Sequence, residues 1–236
     1  MHANAIKKLN SKPLVEQIID MFTEAIIKGE FKPGDKIPSE MELCERLQVG
    51  RSSLREAIKI LVAYGVLSIH RGDGTYIQDS FSEKMLYPVI YGIILQKDSS
   101  KSLLDMRQII DAGSIQLSMD KWNDEMLQQI EAGLENLRKV ATADNATPEA
   151  IFVADTAFHD LIVKATHNEI LISLCKYMDR ITEVSRIQTT KKIIEMHCID
   201  ELIRKHEELV DVICRKDQAN IGTVVRSHYQ FWKDQL

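Results

Sequence analysis

The sequence predicts a mainly α-helical protein, with an N-terminal winged helix-turn-helix followed by a C-terminal bundle made of helices alone. Its 236 residues are enough for one large domain or two small ones, and 44% of them are apolar, so a core can be buried. With 10 Gly and 5 Pro the chain is poor in turn-forming residues, which argues against a sandwich, a barrel or a disordered protein. Apolar residues recur at helical spacing through most of its length.

The first two predicted helices precede residue 48. A stripe of apolar residues at helical spacing defines the first helix, which begins after Pro13 and ends at Gly29. Ser39 and Glu42 have the spacing of a capping box, in which each residue satisfies a backbone N–H of the other. A short second helix is therefore expected from Ser39 to about Leu47.

A third helix and a hairpin complete the predicted N-terminal domain. The helix covers residues 51–64 and ends at Gly65. Two short β-rich runs then flank the turn sequence R-G-D-G at residues 71–74, which suits a hairpin. The order of three helices and a hairpin is typical of a winged helix-turn-helix.

Beyond residue 80 the pattern predicts helices only. Polar breaks separate them, and Thr147 followed by Pro148 is a typical helix start. The predicted segments lie near residues 82–96, 100–121, 124–142, 148–166, 168–188, 191–215 and 217–234. We place the domain boundary near residues 78–84, which gives domains of 1–80 and 81–236, the second an all-helical bundle.

The sequence contains no evident membrane or export signal. No run of about 18 apolar residues is present, and the N-terminus lacks the apolar core of a signal peptide. The four cysteines show no C-x-x-C spacing, so neither a zinc ribbon nor a disulfide framework is indicated. We expect a protein of the reducing cytoplasm with no membrane partner.

The net charge of −5 still permits a nucleic-acid partner, because the charge is unevenly distributed. Residues 1–79 carry 11 basic and 11 acidic side chains, which leaves 19 basic and 24 acidic residues for the rest of the chain. A general coating of positive charge is excluded, whereas a local basic face in the N-terminal domain is allowed.

The third predicted helix carries such a basic face. Arg51, Arg55 and Lys59 recur every four residues, with Ser52 beside them and an apolar stripe largely opposite. A helix fits the major groove of DNA, where arginine can bond two guanine acceptors and serine can bind phosphate. A solvated basic face is the alternative for one such helix, but the capped helix before it and the hairpin after it favour double-stranded DNA as the partner.

Residues 32–77 resemble the DNA-binding domain of the GntR family of transcription regulators. The matching motifs are P-G-D-x-I-P-S-E, V-x-R-x-x-L-R-E-A and G-x-G-T-Y. The resemblance implies that Arg51 and Arg55 contact operator bases and that Arg71 and Gly72, at the hairpin tip, reach the minor groove.

Two positions depart from that family pattern. Met41 stands where many relatives have an arginine that also touches DNA, and Gly50 stands where a serine usually caps the recognition helix. We therefore expect the affinity for DNA to depend more heavily on the two arginines and the wing.

Three of the seven histidines are candidates for a metal site in the bundle. Asp155 and His159 are four residues apart on one predicted helix, and His206 and His228 lie on two others. One carboxylate and three imidazoles that converge would bind a divalent transition metal with open coordination positions. We set His197 aside because, on one helix with His206, it would face the opposite side. Unrelated histidines are the alternative, since spacing alone does not show convergence.

The same region resembles the FCD ligand-binding domain of the FadR-like branch of the GntR family. The matching stretches are DTAFHDLIVKATHN and HEELVDVICRKDQANIGTVVRSH. The resemblance implies that Asp155, His159, His206 and His228 hold a metal, most often zinc or nickel. Relatives that respond to fatty acyl groups lack the complete set, so its presence argues against an acyl-CoA effector.

Arg107, in the stretch MRQIIDA, matches an arginine that many FCD domains carry. It is a candidate second anchor for a carboxylate effector, through a two-pronged guanidinium pair. The alternative is an arginine that packs helices or lies at the surface.

These features together predict a DNA-binding transcription regulator, usually a repressor in this family. The resemblance implies a homodimer on near-palindromic operator DNA and a small organic acid as the effector, bound at the metal. Two alternatives remain open. A metallohydrolase could use the same ligands, although no general base stands out near them. A purely structural metal could fix the bundle without sensing anything.

Overall fold

The computed structural model describes residues 12–96 and 99–233. The chain forms two compact units, the first ending at Tyr91 and the second beginning at Gly92. Helices predominate in the described residues, and their sheet is a single two-stranded hairpin. The predicted fold class is therefore confirmed. The division falls later than the predicted boundary because a 3₁₀ turn and one short helix group with the first unit.

The first unit contains four helices and a hairpin. Its elements are α1 (Leu14–Ile27), α2 (Glu40–Leu47), α3 (Arg51–Ala63), β1 (Leu67–His70), β2 (Gly74–Ile77), the 3₁₀ turn (Glu83–Leu86) and α4 (Tyr87–Ile94). Phe22 of α1 and Leu54 of α3 are fully buried in its core. Gly29 and Gly65 follow α1 and α3 with φ angles of +73° and +76°, the left-handed conformation that ends a helix.

The predicted capping box is present at the start of α2. The Ser39 hydroxyl accepts the backbone N–H of Glu42 at 3.3 Å, and the Glu42 carboxylate accepts the backbone N–H of Ser39 at 2.9 Å. Two N–H groups that α2 could not pair internally are thereby satisfied. This fixes where α2 begins, and with it the helix that precedes α3.

The hairpin is antiparallel, with Leu67 opposite Ile77 and His70 opposite Gly74. Leu67 and Ile77 are buried against the three-helix core, whereas the turn is exposed. Gly72 in that turn has a φ of +79°, which a residue with a side chain adopts at a cost.

The second unit is the predicted helical bundle. Its helices are α5 (Ser99–Met119), α6 (Asp124–Ala141), α7 (Pro148–Lys164), α8 (Glu169–Glu195), α9 (Ile199–Cys214), α10 (Ile221–His228) and α11 (Gln230–Lys233). Phe158 and Leu137 are fully buried, and Thr147 caps α7 ahead of Pro148 as the sequence predicts. In the described residues no helix combines the length and apolar character that crossing a membrane requires.

One predicted helix break is wrong. The Q-T-T stretch at residues 188–190 is continuous helix, because the hydroxyls of Thr189 and Thr190 donate to the carbonyls of Ser185 and Arg186 at 3.0 and 2.9 Å. Such back-bonding lets a threonine remain inside a helix. The break falls instead at residues 196–198, where His197 has a φ of +56°. His197 therefore does not lie on α9 with His206, and the helical-face argument that set it aside does not apply.

Candidate functional site

The candidate DNA-binding residues of α3 all lie on its exposed side. Arg51, Ser52, Arg55 and Lys59 are exposed. The opposite side enters the core through Leu54, Ala57, Ile58 and Leu61. The amphipathic division expected from the sequence is therefore present, and the basic side is accessible to a nucleic acid.

Arg55 is held by an acidic neighbour from α2. Its Nε lies 2.6 Å from a carboxylate oxygen of Glu40, and both side chains are largely exposed. Because the carboxylate engages Nε, it restrains the guanidinium at the end opposite its two terminal nitrogens. Two parallel donors of this kind are what bidentate recognition of guanine uses. Glu40 is thus a positioning residue that the sequence analysis missed.

The hairpin tip is also held in place from outside the hairpin. Lys36 Nζ lies 2.8 Å from the Asp73 carboxylate, and the Tyr76 hydroxyl donates to the same carboxylate at 2.5 Å. A Cβ added at Gly74 would lie 2.5 Å from Lys36 Cε, so the lysine stem crosses the strand where glycine leaves room. These contacts orient the turn that carries Arg71 and Gly72, both exposed.

The two departures from the family pattern are visible at the surface. Met41 is 58% exposed on α2. Gly50 is the residue before α3 and provides no side-chain cap. Neither residue supplies a charged or hydroxyl group toward DNA.

In the second unit three imidazoles converge. His159 of α7, His206 of α9 and His228 at the end of α10 each offer a ring nitrogen, and these atoms lie within 4.8 Å of one another. The ring centroids of His206 and His228 are 4.5 Å apart, and those of His159 and His228 are 4.9 Å apart. His206 is fully buried and His159 nearly so. The edge of the cluster packs on Phe158.

Asp155 lies at the same cluster. One of its carboxylate oxygens is 2.7 Å from Nε2 of His206 and 3.9 Å from Nε2 of His159. The other accepts a hydrogen bond from Arg186 of α8. Burial alone would raise the pKa of Asp155, but the charge of Arg186 and the contact with His206 hold it well below its usual value.

The donor set fits a divalent transition metal. Burial lowers the pKa of His159 and of His228 well below the usual value, which keeps both imidazoles neutral, the form that binds metals. Nδ1 of His206 lies 2.8 Å from the carbonyl of Leu202, so it carries the proton and leaves Nε2 facing the Asp155 carboxylate. A ring lone pair and a carboxylate oxygen repel each other unless a proton or a cation lies between them. Nδ1 of His228 is buried without a hydrogen-bond partner among the described residues.

Arg107 lies in a buried charge network and is 2% exposed. Its Nη1 is 2.6 Å from Asp179 of α8, and its Nε is 3.2 Å from the Tyr229 hydroxyl and 3.3 Å from Asp111. Asp179 also accepts from Arg186 at 2.6 Å. Arg107 lines neither of the two cavities beside the histidines. The geometry thus favours the alternative in which Arg107 packs helices over the role of effector anchor.

Two cavities flank the histidine cluster. The smaller, of about 10 Å³, is bordered by Asp111 and Ser114. The larger, of about 60 Å³, is bordered by Asp155, Arg186, Thr190 and Trp232. His159 and His228 line both cavities, so the cluster forms the wall between them.

Sequence reasoning missed the charged residues that surround the histidines. Arg186 was visible as a cation on a helix, but its partner Asp155 is 31 residues away. Arg107 and Asp179 are 72 residues apart, and Asp111 and Tyr229 are 118 apart. No local spacing relates such pairs, so only the packing of the helices reveals them.

Comparison with known proteins agrees with this description. Residues 14–77 match the bacterial regulatory proteins of the gntR family, and residues 102–231, more than half of the chain, match the FCD domain. The HTH-type transcriptional regulator LutR of Bacillus subtilis (strain 168) is 28% identical over 214 residues, which cover 89% of this chain and 95% of LutR. The Uxu operon transcriptional regulator of Escherichia coli (strain K12) is 25% identical over 228 residues, which cover 94% of this chain and 86% of that protein. Streptococcus agalactiae GntR shares the fold, with a TM-score of 0.57 at 24% identity over 94% of this chain and 100% of that one.

Proposed function

The chain belongs to the GntR family of bacterial regulatory proteins and carries an FCD domain, and on that premise we propose that it is a homodimeric repressor whose operator binding is controlled by a small carboxylate at a divalent metal. It is a DNA-binding transcription regulator, and the relatives it resembles are regulators rather than enzymes. A metallohydrolase is therefore not pursued. A regulator that binds bacterial DNA acts in the cytoplasm.

The convergence of three buried imidazoles and Asp155 carries the metal half of this proposal. Asp155, His159, His206 and His228 would hold the ion, with zinc or nickel suited to imidazole-rich ligands. When bound, the ion supplies a positive charge that attracts a carboxylate oxygen. Arg186 orients Asp155 toward the cluster, and the carbonyl of Leu202 fixes the ring of His206.

The exposed basic side of α3 and the hairpin tip carry the DNA half. Arg51 and Arg55 would read bases in the major groove, Ser52 and Lys59 would bind phosphate, and the wing would reach the neighbouring minor groove. A dimer would present two such heads to a near-palindromic site. An effector changes occupancy only if it binds one arrangement of the heads better than another.

Fluorescence anisotropy with the promoter DNA upstream of the chain's own operon tests the proposal. We expect an acid effector to change the DNA affinity of the metal-loaded protein by about five- to 150-fold, the usual range of allosteric coupling. Protein stripped by a chelator should lose this response. A response that is the same with and without metal would place the effector elsewhere. The absence of any response to acids would leave a structural metal as the better explanation. Reporter expression that falls when the gene is deleted would contradict a repressor.

A further inference from the structure

Resting on the proposed function, we propose that the effector is a short carboxylate of at most about four carbons with a single negative charge, bound in the larger cavity beside the histidine cluster. Three observations carry this step: the charge of the buried network, the volume of the cavity and the polar groups that line it.

The buried network limits the charge of the effector. Around the histidines lie two guanidinium groups, Arg107 and Arg186, and three carboxylates, Asp111, Asp155 and Asp179. This leaves one net negative charge, which a divalent ion converts into one net positive charge. A single carboxylate then restores neutrality. A second carboxylate would leave an unbalanced charge in the interior, and such burial is costly.

No lining cation is free to bind a second carboxylate. Arg186 is the one arginine or lysine among the described residues that line either cavity. Its two terminal nitrogens are already bonded, one to Asp155 and one to Asp179. Binding another carboxylate would require breaking one of these pairs and leaving a buried aspartate without its partner.

The cavity volumes limit the size of the effector. The larger cavity measures about 60 Å³, whereas a dry cavity of roughly 150 Å³ accommodates benzene. The smaller cavity, of about 10 Å³, has room for no more than about one water molecule. A two- to four-carbon acid matches the larger space, and a six-carbon sugar acid would require the helices to separate.

The lining also contains an unsatisfied donor. Trp232 is 6% exposed, and its indole Nε1 is buried without a hydrogen-bond partner among the described residues. An indole N–H only donates, so it is suited to an oxygen of the ligand. A hydroxyl or oxo group on the acid would satisfy it, which favours a short hydroxy or oxo acid over a plain alkyl acid.

Titration calorimetry of the zinc-loaded full-length protein tests both limits with matched acids. Lactate and tartronate differ chiefly by the replacement of a methyl group by a second carboxylate. Glycolate and gluconate both carry one charge but differ in length. We expect lactate or glycolate to bind at least tenfold more tightly than both tartronate and gluconate. Tighter binding of tartronate or gluconate would overturn this inference and leave the carboxylate-sensing function in place. If none of the four acids binds while the protein still binds its DNA, both this inference and the sensing function are rejected.

Two tryptophan variants test the placement. Trp232→Phe should weaken lactate binding at least fivefold and leave propionate, which lacks the hydroxyl, unchanged. Trp122→Phe is the matched control, because its indole nitrogen is also buried without a partner in the described residues but it lines neither cavity. Equal loss of lactate affinity in both variants, or no loss in Trp232→Phe, would overturn the placement beside Trp232.

Discussion

At the scale of single residues, the exposed side of α3 separates base readers from a phosphate contact. Arg51→Ala or Arg55→Ala should each weaken operator binding by about ten- to hundredfold and relax the preference for the operator over unrelated DNA, because base-edge contacts carry specificity. Lys59→Ala should weaken all DNA sequences alike and reduce the salt dependence, because a phosphate contact releases counterions. Anisotropy at several salt concentrations distinguishes the two patterns. If both arginine variants bind normally, α3 is not the recognition helix.

The histidines allow an equally direct comparison. His206→Ala or His228→Ala should sharply lower the zinc or nickel content of the purified protein, because each removes one imidazole from the cluster. His197→Ala is the matched control, since this exposed residue lies in the turn between α8 and α9. Elemental analysis after purification without chelators measures the content. Equal metal content in all three variants would show that the ion binds elsewhere.

Residue-scale prediction from sequence succeeded where chemistry follows local spacing. Asp155 and His159 are one helical turn apart, and the capping pair Ser39 and Glu42 is fixed by a spacing of three. The Arg55 contact with Glu40 was not predicted, because its 15-residue separation spans two helices and the turn between them.

At the scale of elements, the start of α2 is a point of local stability. Ser39→Ala removes the hydroxyl that accepts the Glu42 N–H, and loss of such a cap costs about 1 kcal/mol. Both tryptophans of the chain, Trp122 and Trp232, lie in the second unit. Urea unfolding followed by circular dichroism should therefore shift to lower urea, while the transition seen by tryptophan fluorescence should stay in place. Ser80→Ala, which removes an exposed hydroxyl outside any helix, is the control. A shift of the fluorescence transition would contradict this assignment.

Helix ends were the least predictable elements, for a physical reason visible in α8. Polar threonines read as a break in sequence, yet their hydroxyls found carbonyl partners within the helix. The same residue type caps α7 at Thr147, where the neighbouring proline fixes the backbone. Local composition does not distinguish these two uses of threonine, because the choice depends on whether the following residues bury an apolar face.

At the scale of the whole molecule, a bound ion should stabilise one unit selectively. The ligands come from α7, α9 and α10, so the ion would bind the folded bundle in preference to the unfolded chain. At a free zinc concentration 100 times the dissociation constant, the gain in the free energy of unfolding is about 2.7 kcal/mol. The fluorescence transition should move to higher urea by that amount on adding zinc, and His206→Ala should abolish the gain. A shift of the same size in the variant would contradict the site.

The length of α8 gives its central contacts a mechanical meaning. Its 27 residues, at 1.5 Å each, make a rod about 40 Å long. Asp179 and Arg186 lie near the midpoint, where they connect the rod to Arg107 and Asp155. A tilt of about 5° around that fulcrum would displace each end of such a rod by about 2 Å. The helix is thus a lever with its pivot at the buried charges, and any change in how Arg186 is shared between two aspartates is amplified toward its exposed tips, Ile170 and Met196.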